Sequence, residues 1–226
     1  MSDRERRRVQ AAFDGYRRSA RKQRSWSPEQ PGNRAMRAEV TAEALRAIGP
    51  APASPLLDVG CGTGWWLRHL RERGREPGSL LGVDVQARRV EQARLAVPGA
   101  RIEVADARRL PFADGCVAVV TMLLLLSSLR DRDAMVAALE QGLRVLQPGG
   151  LLLIWDVRVA NPANRATVTP PWRRLAGAAG EPVALRPITL NPWLARRLGR
   201  RTASAYPILA RVPGLRTHRL LLLRKP

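Results

Sequence analysis

The sequence has few of the residues that staple small proteins together or bind metals. It holds two cysteines, Cys61 and Cys116, and two histidines, His69 and His218. Their spacing matches no zinc-binding pattern, and so small a number fits a reducing compartment rather than a disulfide framework. Long apolar runs are missing as well. The longest, Val117 to Leu126 with Thr121 inside it, is about half of what a membrane-spanning helix needs. No charged-then-apolar leader opens the chain, because its first 24 residues contain nine Arg or Lys and almost no hydrophobic run. These absences predict a cytoplasmic protein without a transmembrane segment or a bound metal.

Lysine is nearly absent, at 2 against 37 arginines, yet the formal charge is +20. That excess is uneven. Residues 1–24 carry nine basic and three acidic groups, residues 25–156 sixteen and fifteen, and residues 157–226 fourteen and one. The centre is therefore close to neutral and the ends are basic. Two readings stay open: a GC-rich coding bias that raises Arg along with Ala, Pro and Gly, and a surface that steers an anionic partner.

With 226 residues and 45% hydrophobic content, the chain can build one large α/β domain with additions. Apolar positions at helical spacing from Arg34 to Ile48, closed by Gly49-Pro50, predict a lead-in helix. Short Leu/Val runs then alternate with polar segments of helical length. Strands are predicted near 55–59, 80–84, 101–105, 117–123 and 150–156, with helices near 65–73, 86–96 and 132–145. Such repeated units imply a parallel sheet covered on both faces. Pro148-Gly149-Gly150 is read as the turn that starts the fifth strand. After Asp156 the prolines at 162, 170, 171, 182, 187 and 192 are expected to interrupt regular structure. A short helix from Pro192 to Leu198, capped by Asn191, and a last strand over Thr217–Leu223 complete the reading. The expected division is a helical cap over 1–50 and a cofactor-binding domain over 51–226, with a substrate-side insertion around 158–215.

Leu56-Leu57-Asp58-Val59-Gly60-Cys61-Gly62-Thr63-Gly64 is an apolar strand running into a glycine-rich turn and then a helix, the form of a ligand loop. A dinucleotide fingerprint would want Gly or Ala at position 65, where Trp65 stands. A second carboxylate, Asp84, ends Leu80-Leu81-Gly82-Val83-Asp84, placed to accept both hydroxyls of a ribose diol. A third, Asp106, follows strand three in Ala105-Asp106-Ala107. These loops, in this order, resemble the class I S-adenosylmethionine-dependent methyltransferases, and Arg144-Val145-Leu146-Gln147-Pro148-Gly149-Gly150 matches the family's motif before strand five. The likeness covers roughly residues 55–157.

The resemblance implies a doubly wound, mostly parallel, seven-stranded Rossmann-like α/β sheet with helices on both faces. It implies S-adenosylmethionine as cofactor, with S-adenosylhomocysteine as product. Asp58, Gly60, Cys61, Gly62, Gly64 and Trp65 would hold its amino-acid end, Asp84 and Val85 its ribose, and Asp106 and Ala107 its adenine, with Met122 of strand four nearby. Asn33 and Arg34 are candidates for the cofactor carboxylate. Asn33 in Pro31-Gly32-Asn33-Arg34 and the segment Leu215-Arg216-Thr217-His218-Arg219 resemble a bacterial, small-molecule subgroup. The chain departs from the family in strand four, with Ala118 where an Asp is usual and Ser127-Ser128 where an acidic-His or His-His pair often falls.

Methyl transfer is an in-line displacement that chiefly requires alignment of the nucleophile within about 3–3.5 Å and exclusion of water. Where a base is needed, Asp156 and His218 are the candidates. Tyr16, Trp26, Trp172 and Trp193 lie in segments that suit a lid. The expected acceptor is a small, possibly anionic molecule, methylated on oxygen in natural-product or saccharide biosynthesis. Rival readings are an RNA or DNA methyltransferase, a regulator that binds the cofactor without turnover, and a basic surface over residues 190–219 that docks on anionic lipid.

Overall fold

The computed structural model describes residues 24, 27, 29–49, 54–129, 131–159, 167–178 and 182–226. Tyr16 and Trp26 lie outside the described residues. The chain divides into two compact units: Ile48–Leu185 with Leu220–Pro226, and Met1–Ala47 with Arg186–Arg219.

The first of these carries most of a seven-stranded sheet of order β3-β2-β1-β4-β5-β7-β6. Its strands are β1 (Leu56–Val59), β2 (Leu80–Asp84), β3 (Arg101–Val104), β4 (Val117–Leu123), β5 (Leu146–Val157), β6 (Ala184–Leu190) and β7 (Arg216–Arg224). The boundary between the units falls inside β6 and β7. The first five strands in this order are parallel, with Asp58 of β1 level with Gly82 of β2 and Thr121 of β4. The order reverses direction on either side of β1, which creates a crevice at the carboxyl ends of β1 and β4.

Helices α2 (Trp65–Arg71), α3 (Ala87–Ala96) and α4 (Arg132–Val145) follow β1, β2 and β4, and α5 (Trp172–Ala176) follows β5. The α4 helix is the most plainly encoded. Asp131 accepts the Asp133 N–H at 3.0 Å as its cap, and Ala134, Met135, Ala138, Leu139, Gly142 and Val145 form its buried stripe. That stripe joins Leu57, Val120, Leu152, Ile154 and Leu221 in the main core.

Two expectations fail. β5 begins at Leu146 rather than after the Pro148-Gly149-Gly150 turn, and its register against β4 jumps from Val117↔Leu146 to Val119↔Leu151. The turn is a bulge within the strand, with Gly149 at φ 74° and Lys225 bonded to the Gly149 N–H and the Gly150 carbonyl, both at 2.9 Å. β6 runs through Pro187 because it is the edge strand, where a missing N–H costs no ladder bond.

In the other unit, α1 (Pro31–Ile48), α6 (Pro192–Arg197) and α7 (Thr202–Leu209) share a small core of Met36, Leu190, Ala195, Tyr206 and Ala210. Asn191 caps α6 through the N–H groups of Trp193 and Leu194, as its sequence position predicts. The Tyr206 hydroxyl donates to Glu39 at 2.7 Å and accepts the Leu190 N–H at 3.2 Å. The closest approach is at Gly32, where an added Cβ would lie 2.3 Å from the Ala195 carbonyl oxygen. Gly to Ala inside a helix ordinarily gains up to about 1 kcal/mol. Here the obstacle is backbone and cannot rotate away, so Gly32→Ala is expected to destabilise by about 1–3 kcal/mol, measured as a lowered urea midpoint at constant m.

Candidate active site

The loop after β1 is fastened to β2. The N–H groups of Gly60 and Cys61 both donate to the Val83 carbonyl, at 2.8 and 2.9 Å. Gly60, Gly62 and Gly64 have φ of 79°, 56° and 78°, a left-handed conformation that a Cβ penalises. At Gly60 that Cβ would also lie 2.8 Å from Leu125 Cδ1, so the loop passes directly under the segment that follows β4.

Asp84 ends β2 and joins two loops. Its Oδ2 accepts the Gly62 N–H at 3.0 Å and its Oδ1 the Gln86 N–H at 2.9 Å. Each oxygen keeps acceptor capacity beyond those bonds, as hydrogen bonding to a diol requires. Asp58 is buried and accepts the Thr121 hydroxyl at 2.8 Å. Burial pushes its carboxyl up to about 7, the Thr121 bond opposes the shift, and the charge of Asp84 adds to it. Burial, with the charges of Asp58 and Asp84, also holds the Cys61 thiol far above the ordinary thiol range, so at neutral pH this sulfur is a packing group.

Asp106 stands in the loop after β3 and is gripped by Arg108. Its Oδ1 accepts the Arg108 N–H at 3.0 Å, and its Oδ2 accepts from the Arg108 guanidinium at 2.8 Å. Burial alone would raise this carboxyl, but the Arg108 bonds outweigh it and hold the group well below the usual carboxylate range. Arg108 escapes motif reading because its role depends on where the loop folds back. Ala107 beside it is buried, while Val85 and Trp65 are half-buried. Trp66 packs in the core and Trp65 lies against it and His69, with ring centroids 6.1 and 6.2 Å away. Met122 is fully buried with its methyl end against Gly142 of α4, which commits that side chain to the core.

The two candidate bases are both enclosed. Asp156 at the end of β5 accepts the Ser127 N–H at 3.0 Å on Oδ2 and the Val157 N–H at 2.7 Å on Oδ1. Burial pushes it up to about 6, with the Ser127 hydroxyl and then those N–H bonds pulling the other way. Leu124, the first residue after β4, has φ 57° and donates its N–H to the Trp155 carbonyl at 2.7 Å. A bulky residue at positive φ is strained, and such strain collects at ligand sites. His218 lies in β7, buried, with Nδ1 3.3 Å from the Thr217 hydroxyl. Burial lowers its pKa to about 4, which keeps the ring neutral. Asn33 and Arg34 belong to the unit that contains α1, where the Asn33 amide donates to the Ser27 carbonyl at 2.9 Å.

Residues 56–150 match the family model described as Methyltransferase domain. Demethylmenaquinone methyltransferase of Beutenbergia cavernae is 32% identical over 57% of this chain and 47% of its own length. Malonyl-[acyl-carrier protein] O-methyltransferase of Pectobacterium atrosepticum is 29% identical over 60% and 50%. The chain spans about half the length of these curated relatives. A solved S-adenosylmethionine-dependent methyltransferase from Aquifex aeolicus superposes with a TM-score of 0.61 at 18% identity, covering 90% of this chain and 97% of that one, which shows the shared fold. The doubly wound sheet thus has the fold of that solved methyltransferase. Residues 56–150 are therefore similar to a methyltransferase domain, and the solved neighbour of the same fold depends on S-adenosylmethionine. The residues present suit that cofactor: a glycine cradle under Leu125, an acceptor-only carboxylate at the end of β2, and a second acceptor beyond β3. No group of three or more potential metal ligands occurs among the described residues, and none of their helices is long and apolar enough to cross a membrane.

The raised pKa of Asp58 has a measurable sign. A carboxyl titrating near 7 in the fold and near 3.8 when unfolded takes up its proton first in the fold, so the cost of its buried charge is present above pH 7 and disappears as pH falls towards 4. Asp58→Asn keeps an acceptor for Thr121 and removes that charge. The variant is expected to be the more stable by a few kcal/mol at pH 8, with the difference shrinking steadily to pH 5, as followed by denaturant unfolding.

Proposed function

We propose that this chain transfers the methyl group of S-adenosylmethionine to a small-molecule acceptor, with an oxygen of a natural-product or saccharide-type compound as the methylated atom. The observation that carries the reading is the Asp84 carboxylate, at the carboxyl end of β2 beside the switch point between β1 and β4 and bonded to the N–H groups of Gly62 and Gln86. The relatives' names support a small acceptor group, one naming demethylmenaquinone and the other an O-methylated malonyl group on an acyl-carrier protein. When bound, the cofactor supplies a methyl carbon already activated by the adjacent sulfonium charge.

The protein's own part is positioning. Asp84 holds the ribose hydroxyls, the Gly60–Gly64 backbone takes the amino-acid end, and Asp106 with Ala107 recognises the adenine edge. Leu124 and Leu125, after β4, furnish an apolar wall that keeps water from the reacting carbon. Both oxygens of Asp156 are already engaged by backbone N–H groups. In this reading the rate comes chiefly from alignment, with the acceptor's own acidity governing its deprotonation.

Calorimetry with S-adenosylmethionine tests the cofactor site. Micromolar affinity is expected for the wild type and a loss of at least about tenfold for Asp84→Ala, the equivalent of one charge-assisted hydrogen bond. Equal affinity in both proteins would remove Asp84 from the site, and no binding by folded wild type would overturn the proposed activity.

A further inference from the structure

The segment Arg186–Arg219 contains eight arginines and no acidic residue, and its helices turn large apolar side chains outward. On α7 and its C-cap the buried positions are Thr202, Tyr206 and Ala210, one face at helical spacing. Arg201, Ser204, Ile208 and Arg211 follow the opposite face and are all exposed. Ile208 is 65% exposed and Val212, in the turn that follows, 47%. On α6, Ala195 is buried while Trp193 is 58% exposed, with the Arg197 guanidinium 3.8 Å from its ring centroid. Arg200, Arg201 and Arg211 make no side-chain hydrogen bond or ion pair with any described residue. Isolated exposed aliphatics need no explanation. One aromatic and two aliphatic exposed side chains interleaved with cations in a stretch of 20 residues, free of any carboxylate, make the composition of an interfacial membrane surface.

We propose that the outer faces of α6 and α7 dock this protein on an anionic lipid bilayer. Trp193, Ile208 and Val212 enter the interfacial region, and Arg197, Arg201 and Arg211 meet lipid phosphates. An arginine over an indole suits this boundary, since the ring sits at headgroup depth and the cation stays with the phosphates. RNA would use the arginines too, but single-stranded RNA also wants bare aromatic faces for stacking. Here one face of Trp193 is covered by Arg197, and the other exposed apolar groups are aliphatic and offer a base no π-surface. The docking is separate from the proposed activity, because it is read without turnover.

The test is sedimentation of the full chain with vesicles of phosphatidylcholine alone and of phosphatidylcholine mixed with phosphatidylglycerol. Binding is expected only to the mixed vesicles and should weaken with salt. Replacing Arg201 and Arg211 by Gln should reduce it by about fivefold per arginine. The paired change Trp193→Ser with Ile208→Ser leaves net charge untouched, so it separates insertion from attraction by the basic residues elsewhere. It should weaken binding by about tenfold or more, from the apolar area no longer buried. Circular dichroism checks the fold, with Ile208→Ser plus Val212→Ser as the alternative pair. Brominated lipids should quench tryptophan emission in the wild type and less in Trp193→Phe. Failure to bind mixed vesicles overturns the proposal. So does binding unaffected by both apolar pairs, and so does tight binding of an RNA oligonucleotide through Arg201 and Arg211 by a protein that ignores the vesicles.

Discussion

The carboxylate of Asp84 is the constraint on which the site's geometry rests. Through Gly62 it fixes the loop after β1, and through Gln86 it fixes the entry to α3. The same loop hangs by Gly60 and Cys61 from the Val83 carbonyl, so three N–H groups of a turn whose glycines sit at positive φ are fastened to β2. Asp58, one strand over, joins β1 to Thr121 of β4. Four elements are thereby tied beside the place where the sheet changes direction, and backbone and side-chain bonds hold the loop in shape. Binding to a preformed loop spends little on ordering it. The cost appears elsewhere, as two nearby carboxylates of which Asp58 is held close to neutral.

A second knot lies at the end of β5. Asp156 holds Ser127, the Trp155 carbonyl holds Leu124, and the Val157 carbonyl accepts the indole N–H of Trp172 at 3.1 Å. Ser127 in turn accepts the Val168 N–H. Ser127 occupies the stretch where the resembling family often has an acidic-His or His-His pair. Here that stretch is held by Asp156, the candidate base, through the Ser127 N–H and hydroxyl. A buried carboxylate with N–H partners on both oxygens is a fastener first. That explains how the segment after β4 can keep Leu124 in a strained conformation beside the glycine loop.

Legibility in the sequence followed the range of the interactions. β2, β4 and α4 have the bounds read from their patterns, because alternation, caps and apolar stripes are local signals. The glycine turn and the two acidic loops follow β1, β2 and β3, as their places in the sequence suggest. What escaped reading depends on distant residues. Pro148-Gly149-Gly150 looks like a turn until Lys225, some 75 positions on, pairs with it. Pro187 looks like a breaker until β6 proves to be an edge. The small core that joins Met36 to Tyr206 has no periodic signature, since α6 and α7 are six and eight residues long and turn at Gly199. The close crossing at Gly32 is likewise invisible without the carbonyl of Ala195.

The arginine excess divides along the same line. Within the sheet-bearing unit, arginines reach main-chain carbonyls. Arg144 spans Leu110 and Phe112 at 3.0 and 2.9 Å, Arg94 reaches Ile102 at 2.8 Å, and Arg75 reaches Ser54 at 2.6 Å. In the other unit Arg216 does the same for Ala210 and Pro187. A planar group with five donors can bridge two carbonyls from one side chain, and a lysine ammonium cannot reproduce that fork. Coding bias can enrich arginine, but it does not choose which arginines point inward to carbonyls and which stay on a helix's outer face. Arg201 and Arg211 belong to the second set, flanking Ile208 with no acid nearby in sequence. A surface charged only for dispersal in water would mix both signs and avoid exposed aliphatics. This one does neither, and its composition is that of a face shaped by contact with an anionic, partly apolar boundary.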